Sequence, residues 1–330
     1  MTRWWVGAYG PDMGGTATGI ATLSSRADGS LEYETVVAEV ASPSYLLAHG
    51  EHLYAALESE GAVASYRLSG GALVEDGRVT SGGTAPCHLA ATEYGLIAAN
   101  YEDGALGVIA LADGWVASML YAIPGEGSGP RPQQDGPHAH ASYFADNDTQ
   151  LSLDLGADRI HVHRVSGDGV ARTGSHALRA GTGPRDIARH PSGLLYVLGE
   201  LSGELLVFEW VDAGLRNVSS TALPGFVEGD HASGISFGPD GRFVYVGMRG
   251  SHRIAVLRAS DDGRDLDAAG WVSSEGEWPR HHATDGDILH VANQVSSNVA
   301  SFRLGADGMP VLIAAPAPVP SPTFLLAVPH

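Results

Sequence analysis

Short apolar runs alternate with polar turns along the whole chain, and the alternation repeats. A phrase that opens on proline and a polar residue recurs at intervals of 43 to 51 residues. Its copies begin at Pro43-Ser44, Pro86-Cys87, Pro137-His138, Pro184-Arg185, Ala232-Ser233, Pro279-Arg280 and Pro322-Thr323. After each of the first six comes an apolar run that stops at one polar residue: Glu58, Asn100, Asp154, Glu200, Arg249 and Asn293. A turn and a second strand-like run follow, as from Gly203 to Phe208 and from His252 to Leu257. A period of this length built from short strands predicts an all-β protein. The expected fold is a seven-bladed β-propeller with four-stranded antiparallel blades around a central channel.

The seventh copy has no room for outer strands, because the sequence ends at His330. The stretches from Trp4 to Gly10 and from Gly19 to Leu23 read like the missing ones. The ring is therefore expected to close by joining N- and C-terminal strands in one blade, which removes exposed sheet edges. The unbroken repeat leaves no space for a boundary and predicts a single domain over residues 1–330. A closed ring needs no second subunit to cover its edges, so the pattern carries no reading of oligomeric state.

Composition sharpens this picture. The 44 glycines and 18 prolines suit a chain that must turn tightly many times. The net charge is −19, and all 19 basic residues are arginine. Such an acidic surface repels phosphate backbones and anionic lipid, so neither nucleic acid nor a membrane is an expected partner. Arginines that do cluster are then informative, since guanidinium binds carboxylate or phosphate in bidentate fashion. One cysteine excludes an intramolecular disulfide. With no charged-then-apolar leader and no apolar stretch of membrane-spanning length, a cytoplasmic location is expected.

In a propeller the upper ends of the inner strands converge on one channel mouth. The post-proline residues and the polar stops interrupt a buried pattern in matching phase, and both sets are candidates for that mouth. Serines, threonine and asparagines there are explained by strand-end capping. Arginines, histidines and carboxylates are not, and they point to a site. His138 and His140 are two apart and share a strand face. That pair could ligate a metal with Asp154 or with a third histidine from His231, His281 or His282. Arginines at the same mouth would repel a divalent cation, so no metal is expected. No glycine-rich nucleotide signature occurs, and no organic cofactor is implied. Cys87, in phase with His138 and Arg185, reads as a channel-lining residue in contact with substrate. The neighbouring His88 points to the other face and cannot activate it. The segment from Pro124 to Gly136 breaks the blade pattern and reads as a connecting loop or a cover for the mouth, with Arg131 as its cation.

Several stretches together resemble the seven-bladed propeller lactonase family, which includes bacterial 6-phosphogluconolactonases of the propeller type and fungal carboxy-muconate lactonising cyclases. They are Gly136-Pro-His-Ala-His with Asp154-Leu-Gly-Ala-Asp-Arg, Gly183-Pro-Arg-Asp with Gly199-Glu-Leu, Gly238-Pro-Asp-Gly-Arg-Phe with Met248-Arg, and Trp278-Pro-Arg with Ala292-Asn-Gln. The resemblance implies a site of one histidine, two arginines and a glutamate: His138 or His140, Arg185, Glu200 and Arg249. It implies a metal-independent hydrolase of a sugar-acid lactone, with a small anionic or sugar-like substrate. His138 or Glu200 would be general base and the partner general acid, while Arg185 and Arg249 hold the carbonyl and an acidic group. His140, Arg280, Asp154, Asn293 and Cys87 complete the expected substrate-binding set. Another lactonase group of similar shape binds a divalent metal through carboxylates and asparagines, which keeps Glu58, Asn100, Asp154 and Asn293 as a metal alternative. The alternatives for function are a muconate-type lactonising cyclase or lyase acting on a dicarboxylate, and a non-catalytic propeller that binds a ligand or protein.

Overall fold

The computed structural model describes residues 2–212 and 214–329. Seven antiparallel sheets stand around a central axis. Numbered from the first complete sheet, blade 1 covers residues 43–80, blade 2 residues 86–123 and blade 3 residues 139–177. Blade 4 covers residues 184–222, blade 5 residues 232–273 and blade 6 residues 279–318. Blade 7 joins the strand Pro322–Ala327 to Arg3–Ala8, Gly19–Ser25 and Leu31–Glu39, so the two chain ends close the ring. Blade 6 is the exception to the four-strand plan, because the two-residue strand Ala317–Pro318 also pairs with Asn298–Leu304. Among the described residues no helix is long and apolar enough to cross a membrane.

The second strand of each blade is packed on both sides, which is why it reads as a continuous apolar run. Gly95–Asn100, Phe243–Met248 and Ile288–Asn293 are buried at every position. Apolar side chains form seven separate layers, one between each pair of neighbouring blades. Tyrosines fasten some of these layers at the rim. Tyr196 Oη donates to the Gly263 carbonyl at 2.7 Å and Tyr245 Oη to that of Gly308 at 2.9 Å, each reaching the next blade.

The innermost strands position the site, and each carries a bulge near its start. In blade 4 Pro184 pairs with Gly199 and Asp186 with Leu198, which leaves Arg185 as the extra residue. The same shift frees Ser44, Cys87, His140, Arg280 and Thr323, and in blade 5 it frees Ser233 with Gly234. A bulge re-aims the side chain that it leaves unpaired, and here it aims seven of them at the axis. Just above, the backbone N–H after each second strand donates to the carbonyl of the residue before the bulged strand. These bonds run from Tyr9 to Ser321, Glu58 to Ser42, Tyr101 to Ala85, Leu155 to His138, Glu200 to Gly183, Arg249 to His231 and Gln294 to Trp278, at 2.8 to 3.2 Å. Where proline opens the strand, the preceding residue is left-handed: Ser42, Ala85, Gly183, Trp278 and Ser321 have φ between 34° and 64°. For a residue other than glycine this conformation costs on the order of 1–3 kcal/mol.

Candidate active site

The seven bulged residues Ser44, Cys87, His140, Arg185, Ser233, Arg280 and Thr323 all line one axial cavity of about 520 Å³. A second ring, Tyr9, Glu58, Tyr101, Leu155, Glu200, Arg249 and Gln294, follows from the seven carbonyl bonds. Charge is concentrated on two sides of these rings.

On one side Glu200 is buried at the centre of three contacts. Arg185 Nη1 donates to its Oε2 at 2.7 Å, Arg249 Nη2 is 2.6 Å from Oε1, and His231 Nδ1 lies 2.9 Å from Oε1. Burial alone would raise the pKa of this carboxyl, but Arg249 and Arg185 outweigh it and hold it well below the usual range. Both arginines are fixed from behind: Arg185 Nε donates to the Ser233 carbonyl at 2.8 Å and Arg249 Nε to that of His231 at 3.2 Å. Burial and the like charge of Arg185 push Arg249 down to about 9, so it stays charged at neutral pH. His231 is 22 % exposed. With Nδ1–H given to Glu200, Nε2 is left as its basic nitrogen.

On the other side Tyr9 Oη donates to Glu58 Oε1 at 2.8 Å and accepts from Arg280 Nη2 at 2.6 Å. Arg280 also reaches Gln294 Oε1 at 3.2 Å, and its Nη2 is 3.7 Å from Glu58 Oε2. Three guanidiniums thus face two carboxylates in the rings, which favours an anionic guest. Asp186, beside Arg185 on the cavity wall, accepts from the N–H groups of Ile187 and Ile235, both at 2.9 Å. Burial raises its pKa.

The sequence-predicted residues divide into those that meet here and those that do not. Arg185, Glu200, Arg249 and Arg280 converge, and Cys87 lines the cavity. Burial, then the Glu58 charge, pushes the Cys87 thiol up to about 12, so it is a wall residue and not a nucleophile. His140 is the cavity histidine, held neutral by burial and by Arg185. His138 is displaced from the expected role, because blade 3 enters its bulge two residues later than the proline phrase suggests. Its Nδ1 is 2.7 Å from the Tyr101 carbonyl, its Nε2 is 3.1 Å from Asp135, and its ring stacks on Tyr101 at 4.6 Å. Both nitrogens are engaged, so His138 is not placed to be the base. The oxygens of Glu200 are committed to two arginines and a histidine.

Asp154 and Asn293 do not reach the cavity. Asp154 Oδ1 accepts from the N–H of His138 at 2.8 Å and of Ala157 at 2.9 Å. Asn293 Nδ2 donates to the Ser274 carbonyl and to Asn298 Oδ1, both at 2.9 Å. Asn100 acts similarly, with Nδ2 donating to the Ala105 carbonyl at 3.0 Å. All three tie turns together one position before the ring residues Leu155, Gln294 and Tyr101. Among the described residues no three His, Cys, Asp or Glu side chains form a group able to hold a metal ion. In the loop before blade 3, Gln134 is buried and bonded at 2.9 Å to the Leu155 carbonyl, which pins the loop beside the mouth. Sequence reasoning passed over Tyr9 and Tyr101, weighed His231 only as a metal ligand, and met Trp278 and Gln294 only within the stretches that resemble the family, without a role in the site.

A family model described as lactonase, 7-bladed beta-propeller matches residues 3–327. The chain belongs to that family and is a lactonase, a carboxylic-ester hydrolase. It is 29% identical over 321 residues to the 6-phosphogluconolactonase of Bacillus subtilis, covering 92% of each chain. It is 27% identical to the 6-phosphogluconolactonase of Formosa agariphila, covering 90% of this chain and 91% of the other. Among solved structures, the periplasmic gluconolactonase of Pseudomonas aeruginosa superposes with a TM-score of 0.91 at 26% identity, covering 99% of both chains.

Proposed function

We propose that this lactonase hydrolyses a sugar-acid lactone without a metal ion, using His231 as general base and Glu200 to orient it. The arrangement around Glu200, with Arg185, Arg249 and His231 all within 2.9 Å of its oxygens, carries the reading. The relatives named above as 6-phosphogluconolactonases and gluconolactonase support the substrate class.

Lactone hydrolysis needs an activated water, a stabilised oxyanion and a proton for the departing ring oxygen. In this reading His231 Nε2 takes the water's proton as the oxygen adds to the ester carbonyl carbon. The imidazolium that forms is stabilised by the carboxylate of Glu200, as in other histidine–carboxylate pairs. The carbonyl oxygen becomes negative beside Arg249 and Arg185, whose guanidiniums are already fixed and cost no reorganisation. The ring C–O bond then breaks, and the proton returns from His231 to the leaving alkoxide to give the open-chain hydroxy acid. Arg280 holds a carboxylate or phosphate at the far side of the ring. His140 lies between these groups as a neutral hydrogen-bonding partner. A cytoplasmic location is part of this reading, and cell fractionation tests it.

The test is hydrolysis of gluconolactone and 6-phosphogluconolactone by pH-stat, spontaneous opening subtracted, with and without EDTA. His231→Gln is expected to lower kcat by roughly 10²–10⁴-fold with an unchanged melting curve. Glu200→Gln is expected to lower it as well and to reduce stability by about 3–5 kcal/mol, because two buried arginines lose their counter-charge. Full activity of His231→Gln would reject the assignment of the base, and loss of native activity in EDTA would reject the metal-free mechanism.

A further inference from the structure

Trp278 precedes the proline that opens blade 6, and its backbone is left-handed at φ 64°. The corresponding positions of the other proline-opened blades hold Ser42, Ala85, Gly183 and Ser321, all small. The bulge does not require an indole, since Ala85 and Gly183 accept the same backbone bond that Trp278 accepts from Gln294. A bulky side chain in this region of backbone space, next to proline, is an unfavourable choice. The strain is held in place by the Trp278 N–H, which donates to His252 Nδ1 at 3.1 Å.

The indole does not repay this by filling the interior, for it is only half-buried and belongs to none of the seven apolar layers. It stands over the catalytic side of the mouth. The Arg249 guanidinium carbon is 5.4 Å from its ring centroid, and the His231 ring is 6.4 Å away at 40°. A residue kept in a strained conformation beside a site, with no packing return, points to a role in that site.

We propose that Trp278 is the platform on which the substrate's sugar ring rests. The lactone's C–H face lies on the exposed part of the indole, and the ester carbonyl is thereby held beside Arg249 and His231. An aromatic ring offers a rigid apolar surface with a negative face, which complements C–H bonds polarised by neighbouring oxygens. The ligand class is a saturated sugar lactone or its open-chain acid. The inference rests on the lactonase reading above and adds a binding residue to it.

The experiment pairs turnover of gluconolactone with calorimetric titration of gluconate, for the native chain, Trp278→Ala and Trp278→Phe. Trp278→Ala is expected to raise KM and the gluconate Kd by about tenfold while kcat changes by less than about threefold, and Trp278→Phe to recover most of the loss. Its melting temperature should equal or exceed that of the native chain, because alanine is less strained in the left-handed region. KM and Kd within about twofold of native in Trp278→Ala would overturn the proposal. So would a fall in kcat at unchanged KM, which would assign the indole to holding Arg249, or a lowered melting temperature with native KM. If the native chain opened no lactone, the lactonase reading would fail while the gluconate titration still decided the platform.

Discussion

Glu58 and Glu200 are both buried in the mouth, yet their neighbours give them different work. Glu200 is saturated by two guanidiniums and a histidine, and so serves as a fixed negative centre. Glu58 meets its arginine at 3.7 Å and bonds the Tyr9 hydroxyl instead, which leaves Arg280 with charge to spare. Its guanidinium carbon lies 4.5 Å from the Tyr9 ring centroid. If Arg280 binds the acidic group of the substrate, Arg280→Gln should cost one charged hydrogen-bonding contact. The expected effect is a KM for 6-phosphogluconolactone raised about 10- to 100-fold, with the KM of uncharged gluconolactone moved less than about threefold. The ratio of the two KM values checks this, and an equal change in both would assign Arg280 to the ring carbonyl. The arginines were legible in the sequence because a charge in an apolar run has no packing explanation. Tyr9, Tyr101 and Trp278 were not, since an aromatic residue beside an apolar run reads as core until its exposure is known.

At the scale of the strand, one local device explains both what the sequence disclosed and what it hid. The period gave seven blades, four strands each and the closure by the chain ends, because apolar alternation and turn residues determine those directly. It did not give the bulge, which adds a residue to one strand and moves side chains between faces without changing composition. Hence the proline phrase of blade 3 pointed to His138 where the cavity holds His140. Asn100, Asp154 and Asn293 likewise stood one place before the residues that reach the mouth. The bulge depends on the left-handed residue before it, which yields a test. Gly183 has φ 60°, and a Cβ there would stand 2.6 Å from the Leu201 side chain. Gly183→Ala is expected to destabilise by about 1–3 kcal/mol and to lower kcat/KM, since the Gly183 carbonyl holds Glu200 and the next residue but one is Arg185. Ala85→Gly, which removes strain at φ 57°, is expected to be neutral to about 1 kcal/mol stabilising. Chemical denaturation of the two variants measures both, and a destabilised Ala85→Gly would contradict the strain argument.

The whole molecule is held by seven apolar layers rather than one core, and several of them bury neutral histidines. His163 bonds Ser152 at 2.8 Å, His282 bonds Ser236 at 2.6 Å, and His290 bonds Ser301 at 2.9 Å. Burial lowers all three pKa values, His163 to about 3 and His282 and His290 to about 4. The unfolded chain takes up protons on these rings below about pH 6.5, while the folded chain does not until near pH 4. The unfolded state therefore binds more protons across that window, and stability rises with pH within it. Each ring contributes on the order of 1 kcal/mol per pH unit, all with the same sign. The carboxylates held low by arginine, Glu200 foremost, add to the loss at still lower pH. The melting temperature is thus expected to be flat above pH 7 and to fall progressively from pH 6.5 towards 4.5, with net proton uptake on unfolding. Calorimetry in buffers of different ionisation enthalpy measures both quantities. His282→Gln should flatten the slope even if it lowers the plateau, because glutamine cannot take up the proton. A melting temperature that held constant or rose between pH 6.5 and 5 would mean that these rings are charged in the fold, and that water enters the layers between the blades.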